Sequence, residues 1–450
     1  MPLPWSALAE ATPAQRRTLL AAALGWMLDS FDVMLYALVV AHVMRDLRMS
    51  KPTVGLLNTL MLLASGAGGL LFGSIADRIG RARALSLSIL TYSIFSFASG
   101  LSQSVLQLAV FRSFLGLGMG GEWNTGATLV AETWPSHLRA SALSMVQSSW
   151  AIGYAMAALV AGVMLRFANW RYVFFVGVLP ALVTLWIQRR VPESEMWRVA
   201  QDPAPQNPFT TEAQRTPRKS IAENLRALCV PVGRTLPREK PFTREARLTL
   251  WDIFRPPLLA RTLALLLVNF FGLFAWWGLF TWIPPYLSIP VEQGGRGFGI
   301  MSTTWLLLTL NLLGMLPGYL FFGPVADRLG RKGAFVLYLA AAALLVPLYS
   351  AARSAGMLMV MGIGVAFFGT GFFSGSGLIA SEIFPTAIRA RALGVTYNGA
   401  RMLSAVAPLV IGYVGQKHGL NSAFYLCAGA FLLAAVAVLP LPETRGRELE

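Results

Sequence analysis

Five ionisable side chains sit inside apolar stretches of this chain. Asp29 and Asp32 fall within LLAAALGWMLDSFDVMLYALVVA, residues 19–41. Arg112 and Glu122 flank the glycines of RSFLGLGMGGEW, and Arg401 lies about ten residues into a later apolar run. A charged group at the centre of a bilayer costs about 2.5–3.5 kcal/mol, so such groups face a cavity or a partner and mark function. Asp29 and Asp32 are three residues apart and share a helix face. Facing one dry cavity, they would titrate as a unit and could take up and release a proton. Glu122 is a second proton-site candidate, its alternative role being a hydrogen bond between helices. Arg401 stays charged and offers a planar fork suited to a carboxylate. Asn398, three residues earlier, shares its face. Arg401 is therefore assigned the substrate carboxylate, against the alternative of a permanent ion pair with Asp29, Asp32 or Glu122. Arg112 either snorkels toward the end of its helix or joins the same charge system.

These residues need a scaffold that spans a membrane. The chain has 450 residues, 55% hydrophobic and 13% charged, with mean hydropathy +0.58. Soluble domains carry roughly 25% charged residues. Twelve apolar stretches are expected to span, at roughly 19–41, 54–76, 84–101, 105–129, 139–165, 171–188, 260–283, 298–322, 334–350, 355–380, 391–415 and 422–440. Only helices satisfy the backbone over such lengths in lipid. The fold class is thus an all-α membrane protein with twelve transmembrane helices. The N-terminus lacks the pattern of a cleaved signal peptide. The net charge of +16 gathers in the even-to-odd connections, at Arg78, Arg81 and Arg83, at Arg328, Arg331 and Lys332, and at Arg389 and Arg391. Those loops and both termini should be cytoplasmic, although Arg45, Arg48 and Lys51 fall on the other side. This placement argues against nucleic acid as a partner. Cys229 and Cys427 make neither a disulfide framework nor a metal site, and His42 and His137 read as loop or helix-end residues. No cofactor is expected. Nor is an enzyme, because no nucleophile, base and orienting group can be placed together.

An internal repeat divides the chain. GSIADRIGR (Gly73 to Arg81) recurs as GPVADRLGR (Gly323 to Arg331), and AETWPSHLRASA (Ala131 to Ala142) as SEIFPTAIRARA (Ser381 to Ala392), both displaced by 250 residues. Trp26 and Tyr36 match Trp276 and Tyr286 at that offset. This gives an N-terminal six-helix bundle over 1–188, a hydrophilic cytoplasmic linker over 189–256 and a C-terminal bundle over 257–450. Two parallel repeats suit alternating access. The ionisable residues break the repeat: Asp29 faces Leu279, Asp32 faces Trp282, Arg112 faces Gly362, Glu122 faces Phe372, and Arg401 faces Ala151. Symmetry of the scaffold does not account for them. Trp26, Phe31 and Tyr36, with Phe270, Phe271, Phe274, Trp276, Trp277 and Trp282, supply candidate pocket walls. Trp276, Asn311, Tyr397 and Tyr36 are the chosen cavity residues. Pro284, Pro285, Gly314 and Pro317 should break or bend their helices.

GSIADRIGRARA, its repeat GPVADRLGRKGA and RSFLGLGMGGEW make the chain resemble the major facilitator superfamily of secondary transporters over nearly its whole length. The resemblance implies the two-bundle fold and a cytoplasmic gate at Asp77, Arg78 and Arg81 and at Asp327, Arg328 and Arg331. Glu132 with Arg139, and Glu382 with Arg389, are expected as gate ion pairs because the repeat preserves them. GWMLDSFD, GGEW with AETWP, and YNGARMLSAVAP look like the proton-coupled organic-anion symporters, the group of aromatic-acid, sialic-acid and lactate permeases. There an arginine at the Arg112 position helps couple protonation to substrate binding. Ser30 departs from the glycine usual in the aromatic-acid members.

The resulting expectation is a secondary transporter that imports a small organic anion with protons, working as a monomer in the lipid bilayer of a bacterial inner membrane. The rivals are a proton-coupled exporter of drugs or apolar metabolites and a non-transporting membrane sensor.

Overall fold

The computed structural model describes residues 8, 10–194, 197, 253–256, 258–384 and 392–445. Most of the expected linker and Arg389 lie outside the described residues. Twelve helical spans are found among the rest. They are α1 (Pro13–Asp46), α2 (Lys51–Ile79), α3 (Arg81–Leu101), α4 (Val105–Thr133) and α5 (Ser136–Phe167). The sixth, α6, runs as Trp170–Val176 and then Pro180–Arg190, and α7 as Leu258–Phe280 and then Ile283–Ser288. A π-helical turn, Leu310–Met315, joins Ile300–Thr309 to Leu316–Leu329 in α8. Next come α9 (Arg331–Ala351) and α10 (Ala355–Ile383). The eleventh, α11, contains a second π turn, Gly394–Gly399, then Ala400–Ser404 and Ala407–His418, and α12 is Leu420–Val438.

Local chemistry sets these boundaries. Thr12 caps α1 in a reciprocal box with Gln15, Ser50 caps α2, and Ser104 and Ser354 cap α4 and α10, each satisfying an orphan N–H of the first turn. Proline breaks the spans where expected, at Pro284 after the turn in α7 and beside the π turn that precedes Pro317 in α8. Among the described residues, ten helices are long and apolar enough to cross a membrane. The other two spans are α4, whose centre holds Arg112, Glu122 and glycines, and α11, divided into short pieces.

The glycines of α4 serve two neighbours at once. A Cβ at Gly116 would lie 2.2 Å from the Met61 carbonyl, and one at Gly120 would lie 1.8 Å from that of Ser65, both on α2. A Cβ at Gly118 would meet α3 at the Tyr92 nitrogen, 2.7 Å away. Backbones can approach this closely only without a side chain between them. The approach places Arg112 and Glu122 deep in the bundle.

Hydrogen bonds join the two halves at the end opposite the chain termini. Lys51 Nζ donates to the carbonyls of Gln293 (2.8 Å) and Gly415 (3.2 Å). Thr59 Oγ1 donates to Ala405 O at 2.7 Å, and Tyr154 OH to Phe280 O at 3.3 Å. Large apolar side chains such as Leu70, Leu106, Phe167, Leu182 and Leu344 remain on the outside, as a lipid-facing surface requires.

Replacing Gly120 by alanine should destabilise the protein by about 1–3 kcal/mol or more through overpacking, whereas Gly73→Ala, with nothing within 4 Å of the new methyl group, should not. Detergent melting curves of the two variants check this, and an unchanged melting temperature for Gly120→Ala would contradict the close α2–α4 approach.

Candidate functional site

The carboxylates and one arginine of the N-terminal half form a buried cluster. Asp29, Asp32 and Arg112 have no exposed surface, and Glu122 has 1%. Ser96 Oγ on α3 donates to Asp32 Oδ1 at 2.9 Å, and Gly177, at the break in α6, packs against the same carboxylate. Asp29 is different, since neither of its oxygens has a hydrogen-bond partner. The Arg112 guanidinium stacks over the Tyr36 ring at 4.7 Å and points one nitrogen at the Met61 sulfur, 3.0 Å away. Its Nε and Nη1 have no partner. Glu122 Oε1 lies against Gly25, where a Cβ would be only 2.4 Å away.

Charges of the two halves act on one another across this core. Arg401 and Arg112 both act electrostatically on Asp29, and Arg401 also acts on Glu122. None of these groups forms an ion pair within 4.0 Å among the described residues. The permanent salt bridge weighed for Arg401 is therefore not formed. Arg401 is 5% exposed, and its Nη2 has no partner.

Beside Arg401 lies a narrow cavity of about 30 Å³. Trp26, Gln147 and Trp150 line it from the N-terminal half, and Leu273, Trp276, Trp277, Tyr319, Phe373, Tyr397 and Arg401 from the other. Of the residues chosen from sequence, Trp276, Tyr397 and Arg401 meet there. Tyr36 does not: its ring is the platform under Arg112. Nor does Asn311 line the cavity. It sits in the π turn of α8, fully buried, with its Nδ2 on Leu307 O. Asn398 is partly buried but outside the lining. Two physical causes account for the three corrections. A π turn carries an extra residue and rotates the residues beyond it about the helix axis, and a tyrosine on the correct helix can pack on a cation within its own bundle. Gln147 and Trp150 lie on α5, away from the aromatic runs of α1 and α7 that mark pocket walls in the sequence. The 250-residue offset pairs Gln147 with Tyr397 and would have pointed to it.

The repeated motifs build matching ion-pair clusters at the end that carries the termini. Arg81 bonds to Asp77 at 2.8 Å and to Glu132 at 3.2 Å, and Arg331 to Asp327 at 2.6 Å and to Glu382 at 3.3 Å. These pairs stay within each half. Glu132 is held by Arg81, not by the expected Arg139, which is exposed and donates to Trp134 O at 3.5 Å. Arg78 and Arg328 are exposed. Two further carboxylates escaped notice. Glu193 accepts from the backbone nitrogens of Arg81 and Ala82, and Glu443 from those of Arg331 and Lys332. They too are 250 residues apart, in PES and PET. Each caps the N-terminus of a helix, where backbone N–H groups and the dipole favour an anion. The helices begin at Gly80 (φ 103°) and Gly330 (φ 86°), a conformation open to glycine.

Comparison with known proteins agrees with this architecture. The sequence profile described as Major Facilitator Superfamily matches residues 22–304 and 295–450. The chain is 31% identical to a probable 4-methylmuconolactone transporter of Cupriavidus pinatubonensis over 98% of its own length and 93% of that protein's. It is 28% identical to the sialic acid transporter NanX of Escherichia coli over 94% and 93%. In the partially occluded inward open conformation, the xylose transporter XylE of E. coli superposes with a TM-score of 0.72 at 16% identity, over 97% and 100% of the two chains. That likeness is one of fold.

Partial burial alone would raise the Glu443 carboxyl, but the backbone N–H groups of Arg331, Arg445, Lys332 and Thr444 outweigh it and hold the group below its ordinary value of 4.5. A lowered folded value stabilises the protein above that range, and the contribution is lost as pH falls through the lowered value. Glu443→Gln should therefore lower the melting temperature more near pH 7 than near pH 3. An equal loss at both pH values, measured by thermal unfolding, would show that the charge is not what stabilises.

Proposed function

The chain belongs to the Major Facilitator Superfamily, and as a transporter of that family, we propose, it imports a small organic anion together with protons by alternating access. The observation that carries this reading is the position of Arg401. It is at once a wall of the aromatic cavity, short of a hydrogen-bond acceptor, and within the field of Asp29 and Glu122 on the opposite half. A guanidinium so placed is a receptor for a carboxylate. The relatives named for a muconolactone and for sialic acid carry organic acids, which agrees with that cargo.

In the proposed cycle a proton on Asp29 or Glu122 removes the charge that faces Arg401. The freed guanidinium then takes the substrate carboxylate. Asp29 suits the proton role better than Asp32, since Ser96 already holds Asp32. Arg112, anchored on Tyr36 and Met61, is the fixed counter-charge of the pair. Proton and anion together leave the net charge of the core unchanged, and the loaded core permits the bundles 1–188 and 257–450 to rock about the cavity, joined through 189–256. The bonds of Lys51, Thr59 and Tyr154 close the end away from the termini. With both termini cytoplasmic, this is an inward-facing state. The clusters at Asp77, Arg81 and Glu132 and at Asp327, Arg331 and Glu382 then exchange partners as the inner side closes. A monoanion moving with one proton is electroneutral, whereas a second proton would add about 2.3 kcal/mol per 100 mV of membrane potential.

Uptake into proteoliposomes under an imposed inward proton gradient tests the reading. At least one small carboxylate should accumulate, and movement of apolar cations against the proton gradient alone would replace the symporter by an exporter. Arg401→Ala should cut carboxylate uptake roughly 30-fold or more, the cost of removing one partner of a buried charge pair. Asp29→Asn should lose accumulation and keep substrate exchange, and full accumulation in that variant would take the proton away from Asp29.

A further inference from the structure

Building on the symport reading, we propose that the Tyr92 hydroxyl of α3 is a proton relay between Asp29 and Glu122, which makes the two carboxylates successive stations of one proton.

A notch in α1 brings the three groups together. Gly25 has no side chain, and Glu122 Oε1 of α4 fills the space, 2.4 Å from where a Cβ would stand. The Tyr92 hydroxyl enters the same place and donates to Gly25 O at 3.4 Å. Asp29 follows Gly25 by one helical turn. Side chains on a helix lean toward its N-terminus, so the Asp29 carboxyl leans back toward Gly25. Tyr92 reaches this depth because Gly118 of α4 leaves room for α3: a Cβ there would lie 2.7 Å from Tyr92 N and 3.0 Å from Tyr92 Cβ.

The Tyr92 hydroxyl is less committed than its neighbours on α3. Ser88, Ser93 and Ser96 make bonds of 2.7, 2.7 and 2.9 Å. The bond of Tyr92 is long, and its acceptor is the carbonyl that an α-helix already gives to the Asp29 N–H. Both oxygens of Asp29 and Oε2 of Glu122 are buried without partners. Two ionised carboxylates can only accept, whereas a phenol both donates and accepts and can join them. Tyr92 is itself fully buried, in the field of Glu122, Asp29 and Asp32. Arg112 of α4 and Arg401 of α11 complete the charges acting on these carboxylates. The other helices packed on α3, α2 and α6, carry ionisable groups only at their ends.

The step balances without a charged phenol. Protonated Asp29 passes its proton to the phenol oxygen as the phenol O–H passes its own to the Glu122 carboxylate. Asp29 ends ionised, Glu122 neutral and Tyr92 unchanged. One proton has moved about a helical turn toward the end that carries the termini. The other half has no counterpart: at the 250-residue offset Gly25, Asp29, Tyr92 and Glu122 meet Ala275, Leu279, Ala342 and Phe372. Parts of the scaffold, such as the helix caps, do recur there.

Proteoliposomes holding the full chain and a lumenal pH dye test the relay, with lactate, benzoate and sialic acid as probes. The wild type should acidify the lumen as at least one of them enters. Tyr92→Phe keeps the ring and should slow acidification and proton-driven uptake of that acid roughly 10-fold or more, while its exchange at equal pH stays unchanged and reports a folded protein. Stations in series fail together, so Tyr92→Phe combined with Glu122→Gln should be no slower than Glu122→Gln alone. In infrared spectra of the full chain without substrate, the protonated carboxyl band that Glu122→Gln removes should rise in frequency in Tyr92→Phe, through loss of the hydroxyl. Full driven uptake by Tyr92→Phe, an unshifted band, or losses that multiply in the double variant would each overturn the relay and leave the symport reading standing. Equal loss of exchange and driven uptake would overturn it too, making Tyr92 a packing residue. A wild type that admits none of the three acids, or admits one without acidification, would overturn the symport reading and the relay with it.

Discussion

Everything in this protein turns on how charge is balanced inside a low-dielectric bundle. Two guanidiniums and three carboxylates are buried at mid-depth, yet none of them touches an opposite charge within ion-pair distance among the described residues. Direct pairs would lock the helices, since breaking a buried pair is strongly destabilising. Separated charges interact through space, and a proton or an anion arriving between them changes the balance. Arg112 is held by soft partners, an aromatic face and a thioether. Arg401 is left short of an acceptor at the edge of the cavity.

The scaffold meets this constraint by repeating itself where it needs stiffness and by differing where it needs chemistry. Helix caps, the glycines that start α3 and α9, and the carboxylates that cap those helices recur at one offset. They assemble matched ion-pair clusters at the ends that carry the termini. At the core the offset pairs Asp29 with Leu279 and Arg401 with Ala151. The proposed proton side and the proposed substrate side thereby lie on different halves of the chain. Motion of one against the other changes the distance between them, which is the physical basis on which transport and protonation would be linked.

How far the sequence reached differs residue by residue. The spans were legible because lipid demands long apolar helices. Trp276, Tyr397 and Arg401 were legible as polar or aromatic groups at the correct depth. Tyr36, Asn311 and Asn398 looked equivalent and were not, because depth says nothing about azimuth. Tyr36 turns to a cation in its own bundle, and π turns at Leu310–Met315 and Gly394–Gly399 shift the faces of α8 and α11. Sequence pairs Glu132 with Arg139, whereas the fold of α2 and α3 brings Arg81 to it.

The sequence by itself determined that the chain is a repeated bundle of membrane helices with Asp29, Asp32, Arg112 and Glu122 inside the spans of one half and Arg401 deep in a span of the other. Hydropathy and a fixed offset are one-dimensional signals, and they survive without coordinates. Only the tertiary structure decided that Asp32 is held by Ser96 while Asp29 is left open to both arginines. It alone brought Gln147 and Trp150 into one cavity with Arg401. Those facts depend on which helix faces which, and on angles about each helix axis that packing fixes and spacing does not.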